Sequence, residues 1–420
     1  MTKARSAPTD RTNQSQAVNE MATASLNGNL EQTAAFLTKE LGGSDDFAVR
    51  RFHVFGQQPA ILFYFYNMID QDIVNTSILK ALMYVPPHLE ATDIPFSRLK
   101  TVLIQDALYH SDSKWEGEIA KLSAALLRGE PVVAVEGWDE AIVIGTRTID
   151  KRGIEQPATE QVIRGPREGF IEPLGSNIAL IRYRLQTKSL RVHMMEIGKR
   201  THSKVAVCFL DDIAAPELVA EVKRRLSNIK IDALLDSGYL EHFIEDNNFS
   251  PFPQVQYTER PDKVAANLLE GRVAIFVDGS PLALMVPTVF NQFYQTVEDY
   301  TERFLLMSAI RLARAVALLF SLVFPSLYIA IISYNPELIP TEFAVAVAGG
   351  RAGVPFPAVI EVLVMEVSME VLREATIRLP QQVGGALSIV GVLVIGQAAV
   401  SAGFASPITV VIIALTTIGS

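Results

Sequence analysis

Cysteine is almost missing from this chain: Cys208 is the single one in 420 residues. One thiol excludes an intramolecular disulfide framework and a cysteine-clustered metal site, and it suits a reducing compartment. Basic blocks are missing too. Lys and Arg total 37 against 46 acidic residues, giving a net charge of -9, and no basic stretch interleaved with aromatics offers a nucleic-acid surface. Nucleic acid is therefore not an expected partner. The chain has no glycine-rich phosphate loop, HExxH or GxSxG. SxxK occurs at Ser77 to Lys80, Ser111 to Lys114 and Ser227 to Lys230, a recurrence that marks it as chance. His53, His88, His110, His193, His202 and His242 lack metal-ligand spacing. No catalytic constellation, cofactor or metal site is expected, so the chain reads as non-enzymatic.

A continuous apolar segment is lacking at the start. The first thirty residues are rich in Thr, Ser, Asn, Gln and Ala, which predicts a disordered tail rather than a secretory signal. Charge is lacking further on. Ala315 to Ile332 carries none over 18 residues, and Leu379 to Ser420 carries none over 42. With 49% hydrophobic and only 20% charged residues overall, part of the chain is expected to live in lipid. Arg303, Arg311 and Arg314 precede the first apolar run, whereas SYNPELIPTE after it has no Lys or Arg. The positive-inside rule then puts the large N-terminal region in the cytoplasm.

Between tail and first apolar run, the pattern is that of two α/β lobes. In the first, FAVRRFHVF and AILFYFY read as strands, DIVNTSILKALM and KWEGEIAKLSAALLRG as helices, and PVVAVEG with EAIVIGTRTI as a hairpin. In the second, SNIALIRYRLQT and APELVAEVKRRLSN read as helices, LRVHMMEIG and KVAVCFL as strands, with a further strand around Ile229. VAANLLEGRVAIFVDGSPLALMVP closes it as helix, strand, Asp278-Gly279 turn and strand. Cys208 sits within an apparent buried strand as a small apolar filler. The string VIRGPREGF between the lobes holds Arg164, Arg167 and Glu168. It reads either as a docking strip between lobes or subunits, or as a solvated linker.

The expected plan is a tail over 1–30, a cytoplasmic lobe over 31–150, a linker over 151–169 and a second lobe over 170–300. A helical integral membrane domain follows over 301–420, with spans near 312–333, 343–372, 383–402 and 407–420. Pro325 is expected to kink the first. AGGRAGVPFP, Ala348 to Pro357, predicts that the second is broken or re-entrant, a plain loop being the alternative. The last has only 13 residues from Ile408 where about 20 are needed, so the membrane domain looks truncated.

The apolar stretch VIEVLVMEVSMEVLREATIRLP carries Glu361, Glu366, Glu370 and Glu374. At 100° per residue Glu366, Glu370, Arg373 and Glu374 share one helical face and Glu361 lies opposite. A carboxylate at the bilayer centre costs several kcal/mol unless it is neutralised, paired or wetted, so lipid is excluded as its neighbour. Glu370 with Arg373, and Glu374 with Arg378, fit helix-surface pairs. Glu361 and Glu366 could line a polar pathway or make structural pairs.

Four strings converge on one family. IRGPREGFIEPLGSNIALIRYRLQTKSLRV, EDNNFSPFPQVQYTERPDKVAANLLEGRVAIFVDGSPLALMVPTVF, YNPELIPTEFAVAVAGGRAGVPFPAVIE and REATIRLPQQVGGALSIVGVLVIGQAAVSAGFASPITVVIIAL closely resemble the A subunits of GerA-type spore germination receptors, from about Phe47 to the end. The resemblance implies a multi-pass protein of the spore inner membrane that works with a transporter-like B subunit and a lipoprotein C subunit in nutrient sensing. It further implies a homo-oligomer of A subunits that conducts monovalent cations, with the acidic membrane segment corresponding to Glu361, Glu366, Glu370 and Glu374. It raises the pore reading over the pairing one. An A-like paralogue that amplifies the ion signal, and a secondary transporter holding substrate near Gly349 to Pro357, are the competing expectations. Members of the family continue beyond the position of Ser420.

Overall fold

A computed structural model of the chain describes residues 25–85, 95–108, 112–145, 157, 160, 162, 164–377, 391 and 394–419. It divides into two compact units, Met1–Phe293 and Tyr294–Ser420. The first holds two α/β lobes and the second is helical.

In the first lobe, helix α1 (Leu30–Leu41) precedes strands β1 (Phe47–Val54) and β2 (Gln58–Phe65). A helical run, α2 (71–83), and a second, α3 (96–107), each contain a π turn. Strand β3 (Ser113–Glu116), helix α4 (Ile119–Leu127) and strands β4 (Val132–Val135) and β5 (Ala141–Ile144) complete it. The sheet order is β1-β2-β4-β5-β3, with antiparallel pairing throughout. Alternate side chains of β2 feed opposite faces, as the two-residue strand period requires. Ile61, Phe63 and Phe65 pack with Leu37 of α1 and Leu122 of α4, whereas Ala60 and Leu62 pack with Ile78 of α2 and Leu103 of α3.

The second lobe repeats this plan. Helix α5 (Leu174–Arg184) leads into β6 (Leu190–Ile197) and β7 (Ser203–Leu210), then α6 (Pro216–Asn228) and α7 (Ser237–Ile244). Strand β8 (Gln256–Thr258), helix α8 (Pro261–Leu269) and strands β9 (Val273–Val277) and β10 (Ala283–Val286) follow. The order β6-β7-β9-β10-β8 is the order of the first sheet displaced by five strands. Cys208 faces the core shared with α5 and α8 and is fully buried. Burial pushes its thiol up to about 12, above the ordinary range. Gly279 takes a positive φ of 87° in the β9–β10 turn, which a residue with a Cβ adopts only with strain. That turn also starts α5, because the Asp278 carboxylate accepts the N–H of Leu174 at 3.1 Å.

Two elements differ from expectation. Lys114–Glu116 lie in strand β3 rather than in the helix, which begins only at Ile119. Trp115 packs edge-on against Trp138 at 5.3 Å, and Lys100 lies over both rings, so tertiary packing overrides local helix propensity. No strand forms at Ile229. The segment after α6 lends the carbonyls of Ile231 and Asp232 to the N–H groups of Lys199 and Arg200, without a ladder. Sequence periodicity also did not anticipate α1, α3, α7 or β8. Leu26 and Leu30, within the stretch read as a tail, are buried beside α4. The tail residues before Ser25 lie outside the described residues.

In the second unit, α9 (Phe304–Tyr334) runs for 31 residues with Pro325 inside it. Helix α10 (Thr341–Arg351) ends before Gly353-Val354-Pro355, and α11 (Ala358–Ile377) starts after Pro357. Residues 394–401 are helical, and α12 (Pro407–Gly419) follows. The expected span at 383–402 lies largely outside the described residues.

Candidate functional site in the helical unit

The four glutamates of α11 do not gather at one place. Glu361, in its first turn, is fully buried; Glu366 is half-buried, and Glu370 and Glu374 are exposed. Pro357 sets the site geometry, since a proline just before a helix supplies a fixed φ without wasting an N–H. Glu361 then points inward. Its Oε1 accepts the N–H of Ser406, and its Oε2 lies 3.4 Å from Nε of Arg351 at the end of α10.

The polar contacts continue from there. Ser406 and Thr409 hydroxyls lie 3.0 Å apart, and Thr409 meets the Tyr328 hydroxyl of α9 at 3.1 Å. Arg351, Glu361, Ser406, Thr409 and Tyr328 thus form a file of polar groups joining four helices. Val362, Met365, Ala405, Ile412 and Ile413 pack around it. An ion pair in such surroundings is stable only when both charges are held by partners, and the backbone N–H of Ser406 supplies one of these. By contrast, Glu370 makes the exposed helix-surface pair with Arg373, at 3.1 Å. Arg378, the expected partner of Glu374, lies outside the described residues.

At the other end of α9, Asp299 is buried beneath Arg314, which also donates to the Tyr294 carbonyl at 2.6 Å. Arg311 stands 3.9 Å away. Two of the arginines that precede the apolar run therefore anchor the start of its helix.

The predicted docking strip is exposed at Arg164, Arg167 and Glu168. Glu168 pairs with Arg184 of α5 at 2.7 Å, inside the second lobe. The strip's backbone is fastened by Arg260, which is buried and donates to the carbonyls of Glu160 at 3.1 Å and Pro166 at 3.0 Å. Lys263 adds an ion pair to Glu160 at 2.6 Å.

The lobes themselves meet through a different set. Arg182 of α5 forks onto Asp46, with Nε to Oδ2 and Nη2 to Oδ1 both at 2.5 Å, and both side chains are buried. Ser44 accepts from Arg182 at 2.7 Å and from the N–H of Val192 at 2.9 Å. The guanidinium also lies 4.0 Å over the Phe65 ring. Glu40 binds Lys188 at 2.7 Å. Composition gave no sign of this junction. Asp46 lies in a short polar loop, and Arg182 follows helical periodicity like any surface arginine. Among the described residues no His/Cys/Asp/Glu group is arranged to hold a metal ion.

The family described as Bacillus/Clostridium GerA spore germination protein matches residues 35–420. Spore germination protein KA of Bacillus subtilis (strain 168) is 40% identical over 398 residues, which is 94% of this chain and 72% of that protein. Spore germination protein GerLA of Bacillus cereus is 38% identical over 94% of this chain and 79% of its own length. An uncharacterized membrane protein, YfkQ, of Bacillus subtilis (strain 168) is 39% identical over 94% and 76%. The crystal structure of the N-terminal domain of the A subunit of the Bacillus megaterium spore germinant receptor GerK3 is similar to 64% of this chain. It is covered over 98% of its own length, at 29% identity and a TM-score of 0.48. With a family match over most of its length and several relatives above 30% identity, this chain belongs to the GerA family of spore germination proteins.

Proposed function

We propose that the chain is the A subunit of a nutrient germinant receptor in the spore inner membrane, with its helical unit forming part of an oligomeric path for monovalent cations. The observation that carries the reading is an inversion of ordinary burial. In α9, the one described helix long and apolar enough to cross a membrane, only 6% of its most apolar 18-residue stretch is buried, whereas the Glu361 carboxylate is enclosed. A soluble core helix turns its apolar side chains inward; outward-facing leucines around an enclosed charge suit lipid as the solvent.

In this reading the protein is a non-enzymatic, multi-pass subunit whose two lobes lie in the cytoplasm. Its partners are a transporter-like B-type subunit, a lipoprotein C-type subunit and sister copies of itself. Nutrient binding elsewhere in the complex shifts a closed oligomer toward an open one. Rings formed by Glu366 of neighbouring copies concentrate cations at the path, as carboxylate rings do in cation channels. Glu361 belongs to the framework that holds α10, α11 and α12 together and borders that path.

Glu366→Ala and Glu366→Gln test the reading. Both are expected to slow germinant-triggered potassium release from spores while the complex stays in the membrane, and release at the normal rate overturns the pore assignment. A second reading is an A-like paralogue that amplifies the ion signal without a dedicated nutrient receptor. Neighbouring genes for B-type and C-type partners favour the first, and their absence the second.

A further inference from the structure

The second lobe displays aromatic side chains where a soluble surface would hide them. Phe249 is 96% exposed and Phe252 64%, and Phe290 meets Phe252 edge-on with ring centroids 6.2 Å apart. The loop that carries them is built rather than slack. The Gln254 side chain accepts the N–H groups of Asp246 and Asn247, at 3.1 and 3.2 Å, and donates to the Asn247 carbonyl at 2.7 Å. Asn247 Oδ1 accepts the N–H of Phe249 at 3.0 Å, and Ser250 Oγ accepts that of Phe252 at 3.1 Å. A loop braced in this way holds its phenylalanines out in water, where each loses the gain of burial, unless something else covers them.

Two features select the cover. Neither 247–256 nor 280–297, the segments that carry these rings, contains a charged residue, and the exposed Asp246 just before the first is already paired with Arg225 at 2.5 Å, so the rings themselves offer no ionic complementarity to a protein partner or to an anionic headgroup. Phe290 also lies close in sequence to the apolar helix. Ten residues separate Phe293 from Phe304, a tether that spans at most roughly 35 Å even fully extended. If α9 crosses the bilayer, that tether limits how far Phe290 lies from the start of the helix.

The geometry points to an interfacial anchor: Phe249 and Phe252, with Phe290 beside them, insert into the headgroup and upper acyl region of the bilayer and take neutral phospholipid as their ligand. This rests on the reading of α9 as a span. The anchor holds the cytoplasmic lobes close against the membrane through aromatic insertion, not through charge.

Site-directed spin labelling of the full chain in bilayers of zwitterionic phospholipid tests it. Cys208 is fully buried, so Phe249→Cys and Phe252→Cys each provide one accessible thiol. Leu319→Cys reports on α9, and Arg200→Cys, in the β6–β7 turn at the opposite end of the second sheet, reports on water. Labels at Phe249 and Phe252 are expected to collide with oxygen more than with a water-soluble nickel chelate. Their chelate accessibility should be about fivefold or more below that at Arg200, and unchanged by adding anionic lipid. Chelate accessibility equal to that of Arg200, with Leu319 in lipid, overturns the anchor and leaves the span. Protection that appears only after other subunits are added overturns it in favour of a protein partner. A water-exposed Leu319 overturns both readings.

Discussion

Arg182 and Asp46, 136 residues apart in sequence, meet in a two-point ion pair at the junction of the lobes with almost no exposure to solvent. Removing one member leaves the other charged and enclosed. Arg182→Ala is therefore expected to destabilise the N-terminal region by about 3–5 kcal/mol, a loss typical of a broken buried pair. Chemical denaturation followed through Trp115 and Trp138 measures it, and a loss below about 1 kcal/mol removes the pair as the anchor of the junction.

The same logic separates the glutamates of α11. Glu361→Leu alone leaves Arg351 without its counter-charge and should lower the thermal stability of the detergent-solubilised protein, while the double variant with Arg351→Met recovers much of the loss. Glu366→Gln, at a half-buried position, should change stability by no more than about 0.5 kcal/mol. A large loss there would identify Glu366 as structural and remove it from the proposed ion path.

On α6, hydrogen bonds from Arg224 and then Arg225 hold the Glu221 carboxyl down at about 2, below its ordinary value. A depressed folded-state value stabilises the protein above the unfolded pKa and is lost as pH falls through the folded one. The contribution should thus be complete at neutral pH and disappear between about 4.5 and 2. Glu221→Gln is expected to be less stable than the parent at pH 7 and to converge with it by pH 2. The site is exposed, so high salt should shrink the difference. Equal denaturation midpoints at neutral pH and low salt would remove the triad as a stabilising feature.

Cys208 offers a readout of unfolding. Its thiol should resist maleimide at pH 8 in the native protein and react as soon as the second lobe opens. Rapid modification without denaturant, detected by mass, would mean that the β7 core opens far more readily than its packing indicates.

Much of the architecture was legible because strands with one buried face announce themselves. β1, β2, β6, β7, β9 and β10 all fall within runs of apolar and β-branched residues, and the Asp278-Gly279 turn follows from chemistry local to two residues. β3 was lost because its four residues form a strand by pairing with β5 and packing Trp115 on Trp138 and Lys100, partners that lie elsewhere in the chain. β8 has three residues and offers no period to count. In the helical unit, a lone Arg351 and a Glu361 ten residues later were each visible as oddities. Their pairing was not, since it depends on the turn at 352–357, and Ser406, Thr409 and Tyr328 look like ordinary residues of apolar helices. Asp46 and Arg182 were illegible for the same reason, as long-range partners carry no local signature. The matching strand order of the two lobes emerges only from the pairing of their strands.

Each of those sheets closes on strands drawn from its own half of the N-terminal region. No ladder of backbone bonds must tear for one half to swivel against the other. Resistance to such a swivel comes from the polar contacts around Arg182 and from one backbone bond across the seam, the N–H of Asp45 to the Val192 carbonyl at 2.9 Å. Torque applied at either end would be absorbed there first.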